Sequence, residues 1–309
     1  MRLAAFLLSV SLMMAGCSER EAPLEEAAAN ILPLEVVGMT FEGPDSVKSG
    51  WTTVSVKNDS GMTHFALVYR LPDGVDVDMV DEEVVRRFQA SLTARLQGND
   101  EEADRLLADM PAWVGKLIWL GGPGMISNGV TGEATMYLEP GNYIAECYVK
   151  TNGVQHNFNP EPGQFGMVHA FTVEEEDGGM AEPDANVTLE IANDGYRIAE
   201  GQFRPGANSV RTKFVEQKLY NGFVGHDAHV FRVDGGVDPN TAAAWLDFFP
   251  VTGQQTPAPA HFVGGIHDMP QGSTGYFTVN LEPGQYAIAA EIPDTVASGH
   301  FMQFTVGGE

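Results

Sequence analysis

Residues Gly121 to Tyr143 read GGPGMISNGVTGEATMYLEPGNY, and residues Gly264 to Tyr286 read GGIHDMPQGSTGYFTVNLEPGQY. The two align without a gap, sharing both leading glycines, Gly129 with Gly272, the Thr-Gly pair, the Leu-Glu-Pro-Gly turn and the closing tyrosine. Self-similarity of this density at a constant offset marks a duplicated unit. Working outward, THFALVYRL matches AHVFRV, which pairs His64 with His229, and GMVHAFTV matches GHFMQFTV at the two ends. Short runs such as LEVVGMTF, WTTVSVKN, NYIAECYV and HAFTV are β-rich, several alternate at period two, and Gly, Pro and Asn-Asp separate them. The fold class is therefore all-β, with an antiparallel sandwich or barrel formed once in each half, over 33–174 and 187–309.

Glu174 to Ala185 reads EEEDGGMAEPDA, acidic and Gly/Pro-bearing, so a linker is expected over 175–186. One insertion departs from the β pattern. Val84, Val85, Phe88, Leu92 and Leu96 recur at helical spacing, Gly98 ends that run, and Asn99-Asp100 opens a second helix with Ala103, Leu106, Leu107 and Met110 on its apolar face. A helical hairpin over 81–110 is predicted, lying on the sandwich as a lid.

The chain begins as a secreted protein does. Arg2 is followed by the apolar run Leu3 to Met13 and by Met14-Ala15-Gly16-Cys17. Residues 1–16 are read as a signal peptide, Cys17 as the lipid-modified residue of a bacterial lipobox, and 17–32 as an acidic tether to a membrane. The expected location is the cell envelope, facing periplasm or cell surface. Losing Arg2 leaves 16 basic residues (17 less one) against 42 acidic, a net charge of −26, which excludes nucleic acid as a natural partner. Once Cys17 carries lipid, Cys147 is the sole free thiol.

Cys147, His156 and Met167 follow one another in GNYIAECYVKTNGVQHNFNPEPGQFGMVHAFTV, Gly141 to Val173, and His64 lies upstream in NDSGMTHFALVYRL. Two imidazoles, a thiolate and a thioether are the donor types of mononuclear blue-copper sites. Gly-x-Tyr, three residues, Cys, a His-bearing loop, Gly-Met-Val and a Thr-Val strand together resemble the C-terminal copper loop of plastocyanin and its relatives, the cupredoxins. The resemblance covers both repeats and implies two tandem cupredoxin-like β-sandwich domains. It further implies one copper in the first repeat, with His64 and His156 as imidazole ligands, Cys147 as thiolate and Met167 as axial donor, exchanging electrons with a redox or envelope protein partner.

The loops depart from the family pattern. Eight residues separate Cys147 from His156 and ten separate His156 from Met167, longer than familiar blue-copper loops. Loop length costs closure entropy slowly, but preorganisation of the ligands suffers. Strand alternation puts Tyr143, Ala145, Cys147 and Val149 on the inner face and Glu146 and Tyr148 on the other. An inward cysteine serves as ligand or as core filling, and Ala290 stands at its place in the second repeat. His169 is an alternative to His156. In the second repeat, His226, His229, His261, His267 and His300 are read as structural or surface residues, with Zn or Cu(II) binding as the alternative; His226 and His229, three apart in a strand, face opposite sides. No Gly-x-Ser-x-Gly, His-Glu-x-x-His, phosphate loop or His-x-His motif occurs, so the expected class is a binding or electron-transfer protein and not an enzyme. A metal-free interaction module and a copper carrier without redox work are the rival readings.

Overall fold

The computed structural model describes residues 29–307. The signal peptide, Cys17 and most of the tether lie outside the described residues. Ile31–Val37 shows how the alternation reads out: Leu32, Leu34 and Val36 are buried while Ile31 and Val37 are exposed. This strand pairs in parallel with the long strand Ser46–Asn58, which pairs antiparallel with Val130–Leu138 over Gly50–Asn58 and in parallel with Val168–Asp177 at its other end. Ser46–Asn58 thereby belongs to both layers of the first repeat. The second layer is Leu67–Arg70, Gly141–Glu146 and Val168–Asp177, all antiparallel. The strand through Val173 runs on to Asp177, so pairing enters the acidic stretch expected to be linker.

The second repeat rebuilds the same plan. Val187–Ala192, Gly206–Phe214 and Thr274–Leu281 make one layer, and Ala228–Arg232, His261–Ile266, Gly284–Ala289 and Phe301–Val306 the other. The repeats join into one sheet where Thr274–Leu281 pairs with Val130–Leu138, with Phe277 opposite Ala134, Tyr276 opposite Thr135 and Thr278 opposite Glu133. Ala134 and Phe277 are equivalent in the gapless alignment, so an approximate twofold axis passes between them. Gly124 N–H to Gly265 O (3.0 Å) and His267 N–H to Gly122 O (3.1 Å) obey the same symmetry.

Strand pairing corrects one sequence correspondence. Arg70 lies opposite Tyr143 and Arg232 opposite Tyr286, and the two arginines bind the equivalent Glu139 and Glu282. Counting back six residues from each arginine, His64 matches His226, not His229. The short motifs align three residues out because the second repeat carries two histidines three apart, His226 and His229, and the later one falls against His64.

The helical insertion begins earlier than expected, at Val77, because the Asp76 carboxylate caps it by accepting from Met79 N–H. It continues through a π-helical turn, Asp81–Val85, into Arg86–Leu96. Gly98, with φ at 76°, turns the chain, and Asn99 caps Asp100–Ala108. Val85 and Leu92 are buried, and Phe88 meets Phe223 of the second repeat edge-on with ring centroids 4.9 Å apart. The insertion thus covers a seam between the repeats. Glu146 and Tyr148, expected on an outer face, are buried beneath it. No described helix is long and apolar enough to cross a membrane.

Candidate metal centre

His64 sits just before Leu67–Arg70, locked to Ile126 by reciprocal backbone bonds of 3.0 and 2.8 Å. Ahead of it, the Asn58 carboxamide oxygen accepts from the Ser60 amide and hydroxyl. With its proton spent on Asn58, the Ser60 oxygen accepts from Met62 N–H (3.2 Å) and faces His64 Nε2 at 2.9 Å. That arrangement places the His64 ring proton on Nε2 and leaves the Nδ1 lone pair free.

The two long loops are closed at their bases. After Cys147 the chain makes a small hairpin, Lys150–Thr151 against Val154–Gln155, turned by Asn152 and Gly153 with φ of 53° and 77°. This returns His156 to the start, where its N–H bonds Val149 O at 2.8 Å. The next ten residues leave and return likewise: Gly166 N–H reaches Asn157 O (3.2 Å) and Met167 N–H reaches His156 O (2.7 Å). Cys147 N–H then bonds Met167 O at 3.0 Å. Three of the expected ligands are consequently neighbours through backbone pairing alone. The hairpin is also gripped from outside. Gln89 of the helical insertion donates to Gly153 O (3.0 Å) and accepts from Gln155 N–H (2.9 Å), while from the second repeat Gln254 O accepts from Lys150 N–H (2.9 Å) and Thr256 N–H donates to Lys150 O (2.8 Å).

Three donor atoms converge. Cys147 Sγ lies 3.6 Å from His64 Nδ1 and 3.9 Å from His156 Nδ1, and the two Nδ1 atoms are 3.2 Å apart. His156 Nε2 meets Thr151 Oγ1 at 2.8 Å, so both rings turn Nδ1 toward the sulfur. First-row metal bonds of roughly 2.0 Å to nitrogen and 2.3 Å to sulfur, set near 120°, put nitrogen about 3.7 Å from sulfur. The observed separations bracket that span. His64, Cys147 and Met167 are fully buried and His156 nearly so. Burial, aided by the neighbouring ring, pushes His64 down to about 3, and burial pushes His156 down to about 4. Both imidazoles are neutral at pH 7, as ligation requires. Burial raises the Cys147 thiol to about 12, opposed by the Phe65 and Val149 amides aimed at it. The buried His64, Cys147 and His156 group fits a copper site. Met167 joins through its main chain; His169 does not join, being held by Pro44 O at 2.9 Å.

Similar solved structures are cupredoxins and larger copper proteins. Dithionite-reduced auracyanin from Roseiflexus castenholzii is 19% identical, covering 48% of this chain and 98% of its own, with a TM-score of 0.27. A multicopper oxidase is 12% identical over 90% of this chain and 88% of its own (TM-score 0.24). Copper nitrite reductase from Nitrosomonas europaea is 12% identical over 90% and 94% (TM-score 0.23). No protein-family model and no curated protein matches the chain. The tandem cupredoxin-like plan accords with the strand order described above. The expectation of a non-enzymatic protein is withdrawn, because the structures similar over nine-tenths of the chain are enzymes. At such identities the likeness concerns fold, and it transfers no residue role.

A second cluster brings together His229 and His267, read from sequence as structural or surface residues with metal binding as the alternative, and two acids that the sequence reading did not name. Asp227, His229, His267 and Glu291 are buried together, each with a donor atom within 4.8 Å of the others. A signal existed: by strand register and the gapless alignment, they stand where the first repeat has Phe65, Leu67, Gly124 and Tyr148. The exchange of Phe65 and Leu67 for Asp227 and His229 was legible only with the correct register. His226 and His300, at the places of His64 and Met167, instead stack with centroids 4.0 Å apart beside Ala290, where no thiol is present.

Proposed function

We propose that the first repeat holds a single copper through His64, Cys147 and His156, with Met167 as axial donor, and serves one-electron transfer for a redox partner. The convergence of one sulfur and two imidazole nitrogens within 3.9 Å carries this reading. Copper bound by such a set supplies a Cu(I)/Cu(II) couple. The chain's own part is to hold the donors still. Ser60 and Thr151 fix the two rings, Gln89 grips the hairpin, and burial excludes water, so neither oxidation state needs ligand movement.

Protonation gives a direct test. Below its raised value the thiol carries a proton that a metal must displace, whereas both imidazoles are already neutral above about pH 4. Copper binding between pH 5 and 8 should therefore release about one proton per metal, and affinity should rise about tenfold per pH unit. Calorimetry of Cu(I) binding in buffers of different ionisation enthalpy counts that proton. Two or more protons would mean that an imidazolium titrates there and would sink the ligand assignment.

We further infer that the chain works at a bacterial cell envelope, anchored through lipid on Cys17. The support is the apolar run ending in Met-Ala-Gly-Cys. In the native host, Cys17→Ala should abolish lipid labelling and release the protein from membranes. Unchanged membrane fractionation would count against the anchor.

A further inference from the structure

The second cluster lies where the repeats meet. His229 and Asp227 come from the strand Ala228–Arg232 and the residue before it, His267 follows His261–Ile266, and Glu291 follows Gly284–Ala289. From the first repeat, the Met125 amide donates to His229 Nδ1 (3.1 Å), the Tyr148 hydroxyl donates to Glu291 Oε1 (2.5 Å), and Phe65 packs on the His267 ring with centroids 4.4 Å apart. All four cluster residues are within 1% of complete burial.

The hydrogen-bond pattern assigns roles. Because His229 Nδ1 accepts from a backbone N–H, its ring proton sits on Nε2 and is donated to Asp227 Oδ2 at 2.8 Å. His229 is therefore a positioning residue for the Asp227 carboxylate. Asp227 Oδ1 is fixed by Glu291 N–H (3.0 Å), and Glu291 Oε2 by Gln254 Nε2 (2.6 Å). His267 alone is unanchored: neither ring nitrogen has a hydrogen-bond partner, and Nδ1 points between Glu291 Oε1 at 3.7 Å and Asp227 Oδ2 at 3.9 Å. A buried imidazole with both nitrogens unsatisfied is costly. Two buried carboxylates are also costly, and within 4.0 Å their only charge partners among the described residues are these imidazoles.

We propose that His267, Asp227 and Glu291 bind a second metal, a divalent ion of the Mn(II), Fe(II) or Zn(II) class, distinct from the copper bound at Cys147. A dication meets each demand at once. It ligates the orphaned nitrogen, balances two carboxylates, and takes the imidazole-carboxylate donors that suit harder ions, while the soft thiolate set takes copper. Carboxylates held by His229, Gln254 and the Glu291 amide are the outer support that metal-bound carboxylates ordinarily have. The site joins the two repeats, because Tyr148, adjacent to Cys147, bonds directly to the proposed ligand Glu291.

The test removes the first centre and asks whether the second survives. Cys147→Ala full-length chain is unfolded in chelator, refolded with Zn(II) alone because the closed site needs loading during folding, and passed over chelating resin. About one zinc per chain should remain, and Cys147→Ala combined with His267→Ala or with Glu291→Gln should retain less than roughly a tenth of it. Zinc refolding should also raise the Tm of the Cys147→Ala protein above that of its metal-free form, a readout that holds if the double variants fold poorly. Absence of retained zinc in Cys147→Ala, retention undiminished by both second substitutions, or an unmoved Tm would overturn the proposal. None of these outcomes depends on whether the wild-type chain takes copper at Cys147.

Discussion

Cys147→Ala should lose the strong visible absorption of copper bound to thiolate completely, and Cu(II) retention after washing should fall on the order of a hundredfold, about 2.8 kcal/mol. The first expectation follows from arithmetic on thiols. With Cys17 read as lipid-modified, Cys147 is the free cysteine that remains, and among the described residues it is the only one. The second follows from softness, because two imidazoles and a buried thioether bind copper less firmly once the thiolate is gone. The substitution should leave the fold standing. Ala290 occupies the same place in the second repeat, fully buried, with its amide bonded to His300 O as the Cys147 amide is to Met167 O. Visible spectra, metal counts and a thermal melt of wild type and variant check all three statements together. A variant that keeps the colour would refute the site, while a colourless wild type that holds no copper would leave only the fold.

Much of this architecture was written in the sequence. The gapless match of Gly121–Tyr143 with Gly264–Tyr286 gave the duplication, and the structure turns that match into a symmetric pairing centred on Ala134 and Phe277. His64, Cys147, His156 and Met167 could be named from residue type and order, since the donor set is chemically distinctive. Their convergence could not be read, because it depends on how two long loops close. The clue was local and small: Asn152-Gly153 is a hairpin turn that folds the first loop back on itself. The grip of Gln89 on that hairpin was invisible, because a glutamine on a helix face looks solvated until the helix is docked. The second cluster was hidden for a different reason. The short motifs around His64 and His229 match three residues out of register, which conceals that His229 and Asp227 replace Leu67 and Phe65 in the core. Only the strand register, with Arg70 and Arg232 each facing an equivalent tyrosine, removes that ambiguity.

The loop closures themselves can be attacked at a single atom. Gly166 lies where the second loop returns beside His156, and a Cβ there would sit 2.2 Å from His156 O, 2.5 Å from Asn157 C and 2.7 Å from Asn157 O. All three are backbone atoms, so no side-chain rotation relieves the clash. Gly166→Ala must push the His156 main chain away, straining the 2.7 Å bond from Met167 N–H and the 2.8 Å bond from His156 N–H to Val149 O that hold the ligand loop shut. Overpacking of this kind costs about 1–3 kcal/mol, and for a chain of this size each kcal/mol lowers Tm by roughly 1.5–2 °C. A functional loss should accompany the stability loss. A displacement of even about 1 Å takes His156 Nδ1 out of bonding reach of a metal shared with Cys147, so copper affinity should drop at least tenfold, about 1.4 kcal/mol. Gly115→Ala is the matched control, since a Cβ there meets no atom within 4 Å, and it should move neither quantity. Competition titration with a chelator and a thermal melt on the three proteins decide the matter. Equal copper affinity in Gly166→Ala and wild type would show that His156 does not hold the metal, and His64 with Cys147 would then need another partner.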